Sequence, residues 1–177
     1  GMGGMFDIPN NQIILKQALR LGISYWDTAN SYGYGRSEEG IGKFFSRYPE
    51  QRKDVFLVTK SGDSDPFGLS SDLEKSLRRM QTSYIDLFFL HGIRSSRSLT
   101  KEIRNWADEA KEKGKIRFFG FSTHSNMEQC LADAAEMDWI DGIMMSYNYR
   151  LMQSDMMKKA VDACVDAGIG LTAMKTQ

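Results

Sequence analysis

Six short apolar runs, most of them rich in β-branched and aromatic residues, recur at a steady interval, and that interval limits the architectures open to the chain. The runs cover residues 23–27, 55–59, 85–90, 116–121, 142–146 and 169–173. Their starts lie 32, 30, 31, 26 and 27 residues apart, close to the ~30 residues that a strand, a crossover helix and the next parallel strand require. Stretches with helical periodicity fill the intervals, over residues 11–21, 37–46, 69–80, 99–113, 126–137 and 155–167. Ser37-Glu38-Glu39 is expected to cap the second helix with acidic residues in its first turn, and Gly114 and Gly168 to end the fourth and sixth in a left-handed turn.

Repeated strand-helix units build either an open doubly wound sheet or a closed (β/α)8 TIM barrel, and near-equal units without an irregular connection favour the barrel. A complete barrel takes roughly 250 residues, whereas this chain has 177. We expect an incomplete α/β barrel: residues 1–5 as the end of a first strand, then six further βα units, with the last strand missing and the natural chain extending at both ends. No linker or low-complexity tract interrupts the series, so residues 1–177 read as a single domain.

Composition narrows the function. With 23 Lys+Arg against 23 Asp+Glu the formal net charge is +0, which disfavours a nucleic-acid-binding surface. No apolar run approaches the roughly 18 residues of a membrane helix, and residues 1–20 lack the basic start and apolar core of a signal peptide. Cys130 and Cys164 have neither a CxxC motif nor a histidine at metal-ligand spacing. They read as free thiols of a cytoplasmic protein, with no metal site.

The active site of such a barrel gathers where strands end. The residues there are Asp27, Tyr32 in the following loop, Lys60, His91 and Ser122. Singly, each also suits a structural role: Asp27 a turn cap, Tyr32 loop packing, Lys60 a solvated amine, His91 a buried, bonded imidazole. Together, an acid, a base, a phenol and an imidazole at one rim make a proton-transfer site. Lys60 is expected to lower the phenol's pKa by favouring the phenolate, Asp27 to keep a buried Lys60 charged, and neutral His91 to orient a substrate carbonyl.

At these residues the chain resembles the aldo-keto reductases. Gly22-Ile23-Ser24-Tyr25-Trp26-Asp27-Thr28-Ala29, followed by Tyr32, Gly35, Ser37-Glu38 and Gly42, is similar to the family's first signature, and residues 76–91, ending Asp86-Leu87-Phe88-Phe89-Leu90-His91, to its second. Lys60 closes Val58-Thr59-Lys60 between them. The resemblance implies a barrel that reduces an aldehyde or ketone with a nicotinamide cofactor, NADPH by family habit with NADH as the variant, and Asp27, Tyr32, Lys60 and His91 as the catalytic tetrad. Gly120-Phe121-Ser122-Thr123-His124 is similar to the family's Gly-Val-Ser-Asn stretch, with Thr123 where Asn is usual. Ser122 and Thr123 are thus implied at the nicotinamide carboxamide, Met144 where a carboxamide-binding Gln is common, and Met174 where an aromatic stacks on the ring. Residues 120–124 and 173–176 look more like a bacterial branch, some of whose members carry a C-terminal iron–sulfur segment; no four-cysteine motif is present here. By the same resemblance, the alternative is a slow or non-catalytic nicotinamide-binding regulatory barrel.

Other features read as structural. Gly33-Tyr34-Gly35 lacks the spacing of a phosphate loop, and Asp63 and Asp65 suit a turn better than a calcium loop. Arg94, Arg97, Lys101 and Arg104 read as a solvated basic face in preference to a patch that attracts an anionic substrate, and His124 as a loop or helix-start residue, with a place facing the site as the lesser alternative. Tyr25, Trp26, Phe88 and Phe89 are expected in the barrel wall, and Met5, Tyr34 and Tyr149 in the pocket lining.

Overall fold

A computed structural model describes Gly4 and residues 9–176, so the strand expected at residues 1–5, and Met5 with it, lies outside the described residues apart from Gly4, which is in a turn. Along the described residues run α1 (Pro9–Arg20), β1 (Tyr25–Asp27), α2 (Arg36–Arg47), β2 (Phe56–Ser61), α3 (Pro66–Met80), β3 (Ile85–Ile93), α4 (Lys101–Glu112), β4 (Ile116–Thr123), α5 (Met127–Ala135), β5 (Gly142–Ser146), α6 (Asp155–Asp166) and β6 (Gly170–Met174). The strands are all parallel and lie side by side in sequence order. Chain order with no switch point is the order of a (β/α)8 barrel. The sheet curls into a half-barrel until Tyr25 Oη of β1 lies 3.1 Å from Thr172 Oγ1 of β6, bridging the two edge strands.

Strand alternation sorts the side chains into two sets. In β2, Leu57 faces the helices while Phe56, Val58 and Lys60 face the lumen; in β3, Phe88 and Leu90 face out while Leu87, Phe89 and His91 face in. The outward set, including Trp26, Leu57, Phe88, Phe119, Phe121 and Ile143, packs with Leu15, Ile41, Phe44, Leu69, Leu77, Trp106 and Leu131 of the helices into one large core. The inward set is layered. Tyr25, Phe56 and Phe118 stack at the lower end, with centroids 5.4 and 6.2 Å apart. Val58, Leu87, Phe89 and Met144 form an apolar layer, and Asp27, Lys60, His91 and Ser122 lie towards the strands' C-terminal ends.

Several strands run further than their apolar patterns suggest, β2 to Ser61 among them. β3 extends through His91 to Ile93, with a register shift between Leu90 and Ile93 where Gly92 takes φ 72°, and β4 extends to Thr123. Conversely, β1 begins at Tyr25, leaving Ile23 mostly exposed. The expected cap of α2 is not formed. That helix starts after Gly35 in a left-handed conformation with no side-chain cap; Ser37 Oγ instead lies 2.7 Å from Thr28 Oγ1, and Glu38 is fully buried. Their partners are Thr28 just after β1, Thr59 of β2 and Arg79 of α3, which sequence spacing does not display. Asp65 does cap α3, accepting the N–H groups of Phe67 and Gly68 at 3.0 Å. Gly114 and Gly168 take left-handed φ values of 67° and 76°. Among the described residues no helix is long and apolar enough to cross a membrane.

Gly120 is opposite Gly142 across β4 and β5, and a Cβ on Gly120 would sit 1.8 Å from the Gly142 carbonyl oxygen. Gly120→Ala therefore has to push two core strands apart and should lower stability by about 1–3 kcal/mol, the range for overpacking. Gly62→Ala, where a Cβ meets nothing within 4 Å, should unfold in urea at the wild-type midpoint.

Candidate active site

Asp27, Lys60, His91 and Ser122 come from four neighbouring strands and share inward parity, so the curl of the sheet brings them together around one cavity of about 380 Å³. Tyr32 reaches that cavity from the loop after β1, and Tyr25, His124, Met144, Thr172, Ala173 and Met174 complete its lining. The loop turns back sharply through three consecutive left-handed residues, Gly33 (φ 59°), Tyr34 (φ 59°) and Gly35 (φ 94°).

Lys60 is 1% exposed. Its ammonium donates to the Asp27 carboxylate and, at 2.7 Å, to the Thr28 carbonyl, and lies 5.1 Å from the centre of the Tyr32 ring. Tyr32 and His91 meet edge to face with ring centroids 5.7 Å apart. Ser122 Oγ accepts the Gly92 N–H at 2.9 Å, which holds that oxygen at the cavity wall. His124 Nδ1 lies 2.9 Å from Ser146 Oγ.

Burial sets the protonation of this cluster. It lowers the Lys60 ammonium's pKa, opposed by the charge and hydrogen bond of Asp27. It also lowers the His91 imidazole, aided by the positive charge of Lys60; His91 is therefore neutral at pH 7. The Tyr32 phenol is raised, by burial first and by the Asp27 carboxylate second. The expectation that Lys60 pulls this phenol down is thus not met. Asp27 pairs directly with Lys60 and cancels much of its field, so desolvation decides, and Tyr32 keeps its proton.

Thr123 is fully buried and donates its hydroxyl to Ser125 O at 2.9 Å, away from the cavity. Its parity is opposite to that of Ser122, so the alternation that brings Ser122 to the cavity turns Thr123 out. Met144 is buried in the lumen and Met174 packs beside it, both on the cavity wall. Contrary to expectation, Tyr34 and Tyr149 are 92% and 63% exposed; His124 lies, as expected, in the loop between β4 and α5, and there it lines the cavity. Tyr25 and Thr172, which no local motif marks as lining residues, face the cavity through their inward strand parity. Of the basic residues near His91, Arg94, Arg97 and Lys101 are exposed and Arg104 pairs with Asp138 at 2.9 Å. No group of metal-ligating residues occurs among the described residues.

The half-barrel of parallel strands thus carries a phenol, an imidazole and a buried Lys–Asp pair at its C-terminal rim. The chain belongs to the Aldo/keto reductase family, whose profile matches residues 3–176. It is 30% identical over 180 residues to the oxidoreductase YrpG of Bacillus subtilis, covering 90% of this chain and 55% of that protein. It is 33% identical over 124 residues to a fission-yeast (Schizosaccharomyces pombe) aldo-keto reductase named as NADP(+)-linked, covering 63% of this chain and 36% of that one. The holo form of an aldo-keto reductase from Bacillus halodurans superposes with a TM-score of 0.82 at 27% identity, over 98% of this chain and 59% of that one. A Klebsiella pneumoniae aldo-keto reductase in complex with NADP and acetate gives 0.76 at 26% identity, over 98% and 61%. The chain thus spans about half the length of the relatives it matches.

Two outcomes follow from the buried charges. Lys60→Met orphans the Asp27 carboxylate and should cost about 3–5 kcal/mol, most of it restored in Asp27→Asn/Lys60→Met; chemical denaturation of the three proteins checks this. The His91 pKa lies below its ordinary 6.5 when folded, so between the two values the unfolded chain binds more protons and stability rises with pH. Acidification through that window therefore destabilises the wild type, and His91→Asn should lose less stability between about pH 7.5 and about pH 5.

Proposed function

We propose that the chain carries the catalytic half of an NADPH-dependent reductase of small aldehydes or ketones, with Tyr32 as the proton donor. The observation that carries this reading is the convergence of a protonated phenol, a neutral imidazole and a buried Lys60–Asp27 pair on one cavity. Family membership supports carbonyl reduction, and the names of the fission-yeast and Klebsiella relatives support NADP(H). The same proposal takes residues 1–177 as one barrel domain of the bacterial branch, working in a reducing cytoplasm compatible with the buried free thiols of Cys130 and Cys164.

The cavity suits the nicotinamide end of the cofactor. Ser122, its oxygen fixed by Gly92, would hold the carboxamide, and the thioethers of Met144 and Met174 would form the apolar wall beside the ring. Thr123 is left out of this set, its hydroxyl being committed to Ser125. When bound, the reduced nicotinamide supplies hydride to the carbonyl carbon. The protein's own residues do the rest. His91 donates its N–H to the carbonyl oxygen and orients the substrate between itself and Tyr32. Tyr32 gives its proton to the oxygen as negative charge develops there, and the paired Lys60 and Asp27 form the cavity wall beside it, the ammonium 5.1 Å from the centre of its ring.

A regulatory barrel that binds the cofactor without turnover remains the second reading, favoured by thioethers where the family commonly has an amide and an aromatic. One substitution separates the two. Tyr32→Phe removes a hydroxyl at nearly constant volume. Under the catalytic reading NADPH oxidation with a reducible carbonyl falls by roughly 10²–10⁴-fold, the usual worth of a general acid, while NADPH affinity by fluorescence titration stays near wild type. Equal rates for the two proteins would refute the assignment.

A further inference from the structure

Beneath the Tyr32 loop lies a buried charge pair that the proposed chemistry does not use. Glu38, in the first turn of α2, is fully buried. Its carboxylate accepts the Thr59 hydroxyl of β2 at 2.7 Å and Arg79 Nη1, from the last turn of α3, at 3.1 Å. The same Arg79 nitrogen donates to the carbonyl of Asn30 at 3.1 Å, two residues before Tyr32. Asn30 is also held by its N–H to Lys60 O at 3.0 Å and by its side chain to the Asp72 carboxylate, which takes the Ser61 hydroxyl at 2.6 Å. On the other side of Tyr32 the flat Arg79 guanidinium lies directly against Gly35, where a Cβ would come within 2.4 Å of its Cζ.

Arg79 therefore touches the loop before and after Tyr32, and Glu38 holds Arg79 in that place. The segment between the two contacts is strained. Tyr34 adopts φ 59°, a region that side chains other than glycine, asparagine and aspartate seldom occupy. Such backbone persists only where its surroundings over-determine it.

We propose that Glu38 and Arg79 form a clamp that positions Tyr32 for proton transfer, acting through the loop rather than by touching substrate. The inference rests on the reading of Tyr32 as the proton donor. Charge alone does not make the clamp: the planar guanidinium bonds Asn30 and Glu38 while presenting a flat face to Gly35, and an ammonium supplies no such surface.

The test uses the full chain with Arg79→Lys, which leaves Glu38 opposite a cation, and Tyr32→Phe as reference. In Arg79→Lys, kcat for carbonyl reduction should fall by about tenfold or more while KM and NADPH affinity stay within about twofold, the pattern of a misplaced catalytic group. Amide hydrogen exchange across residues 29–36 should speed up in the same variant without a matching change in the core strands. Adding Tyr34→Gly, which relieves the strained φ, should recover part of the lost kcat. Should Arg79→Lys not fold, Glu38→Gln/Arg79→Gln leaves no buried charge unpaired and carries the same expectations. Loss of global stability with kcat and loop exchange unchanged would make the pair merely structural and overturn the clamp. If wild type and Tyr32→Phe turn over equally, the catalytic reading falls and the positioning role with it. Unchanged exchange at residues 29–36 overturns the clamp alone.

Discussion

Side chains of a curled parallel sheet have only two places to go, and the rest of this structure depends on that two-residue alternation. In β2 it sends Leu57 to the helices and Phe56, Val58 and Lys60 to the lumen. In β3 it divides Phe88 and Leu90 from Leu87, Phe89 and His91 in the same way. On the inward side aromatics stack below, Val58, Leu87, Phe89 and Met144 form an apolar cluster above them, and the polar set lies towards the C-terminal ends, where register sets Lys60 opposite Phe89 and Ser122 opposite Met144. The polar set is thus the top layer of the same packing that fills the lumen.

Taking charges out of water is the cost of that layer, and the protein meets it by pairing. Lys60 has Asp27 and the Thr28 carbonyl. Glu38 has Thr59 and Arg79. At the opposite end of the sheet Asp86 accepts from Arg52, Arg117 and the Leu57 N–H, each at 2.9 Å. These pairs differ in what they serve. The Asp86 cluster ties strand starts together far from the cavity, whereas the other two bracket Tyr32, one facing it from the lumen and one supporting its loop from outside. Pairing also explains why the phenol keeps its proton. A cation already matched by a carboxylate exerts little net field, so the dry surroundings of Tyr32 favour its neutral form.

Much of this was legible before any coordinates. The spacing of apolar runs marked the six strands, helical periodicity marked the six helices, and the positions of Asp27, Tyr32, Lys60 and His91 just at or after strand ends marked a common rim. All of those signals are local, because a strand or helix imprints its period on consecutive residues and the parallel barrel always puts strand C-termini at one end. Parity was also available, and applied to β4 it separates Ser122 from Thr123.

What the chain's local pattern could not display is contact between distant segments. Glu38 looks like a first-turn surface acid until Arg79, 41 residues away, is placed against it. His124 is the loop residue its surroundings suggest, but only the curl of the sheet sets it beside Ser146, 22 residues on. Tyr34 and Tyr149 have the chemistry of pocket residues, yet the backbone turns them into solvent. The sequence by itself determined the order of strands and helices and the inward or outward parity of each side chain, since both follow from backbone periodicity. Only the tertiary structure decided which buried charges meet, how the Tyr32 loop is braced and which protonation states result, because each depends on desolvation and on partners that folding brings together.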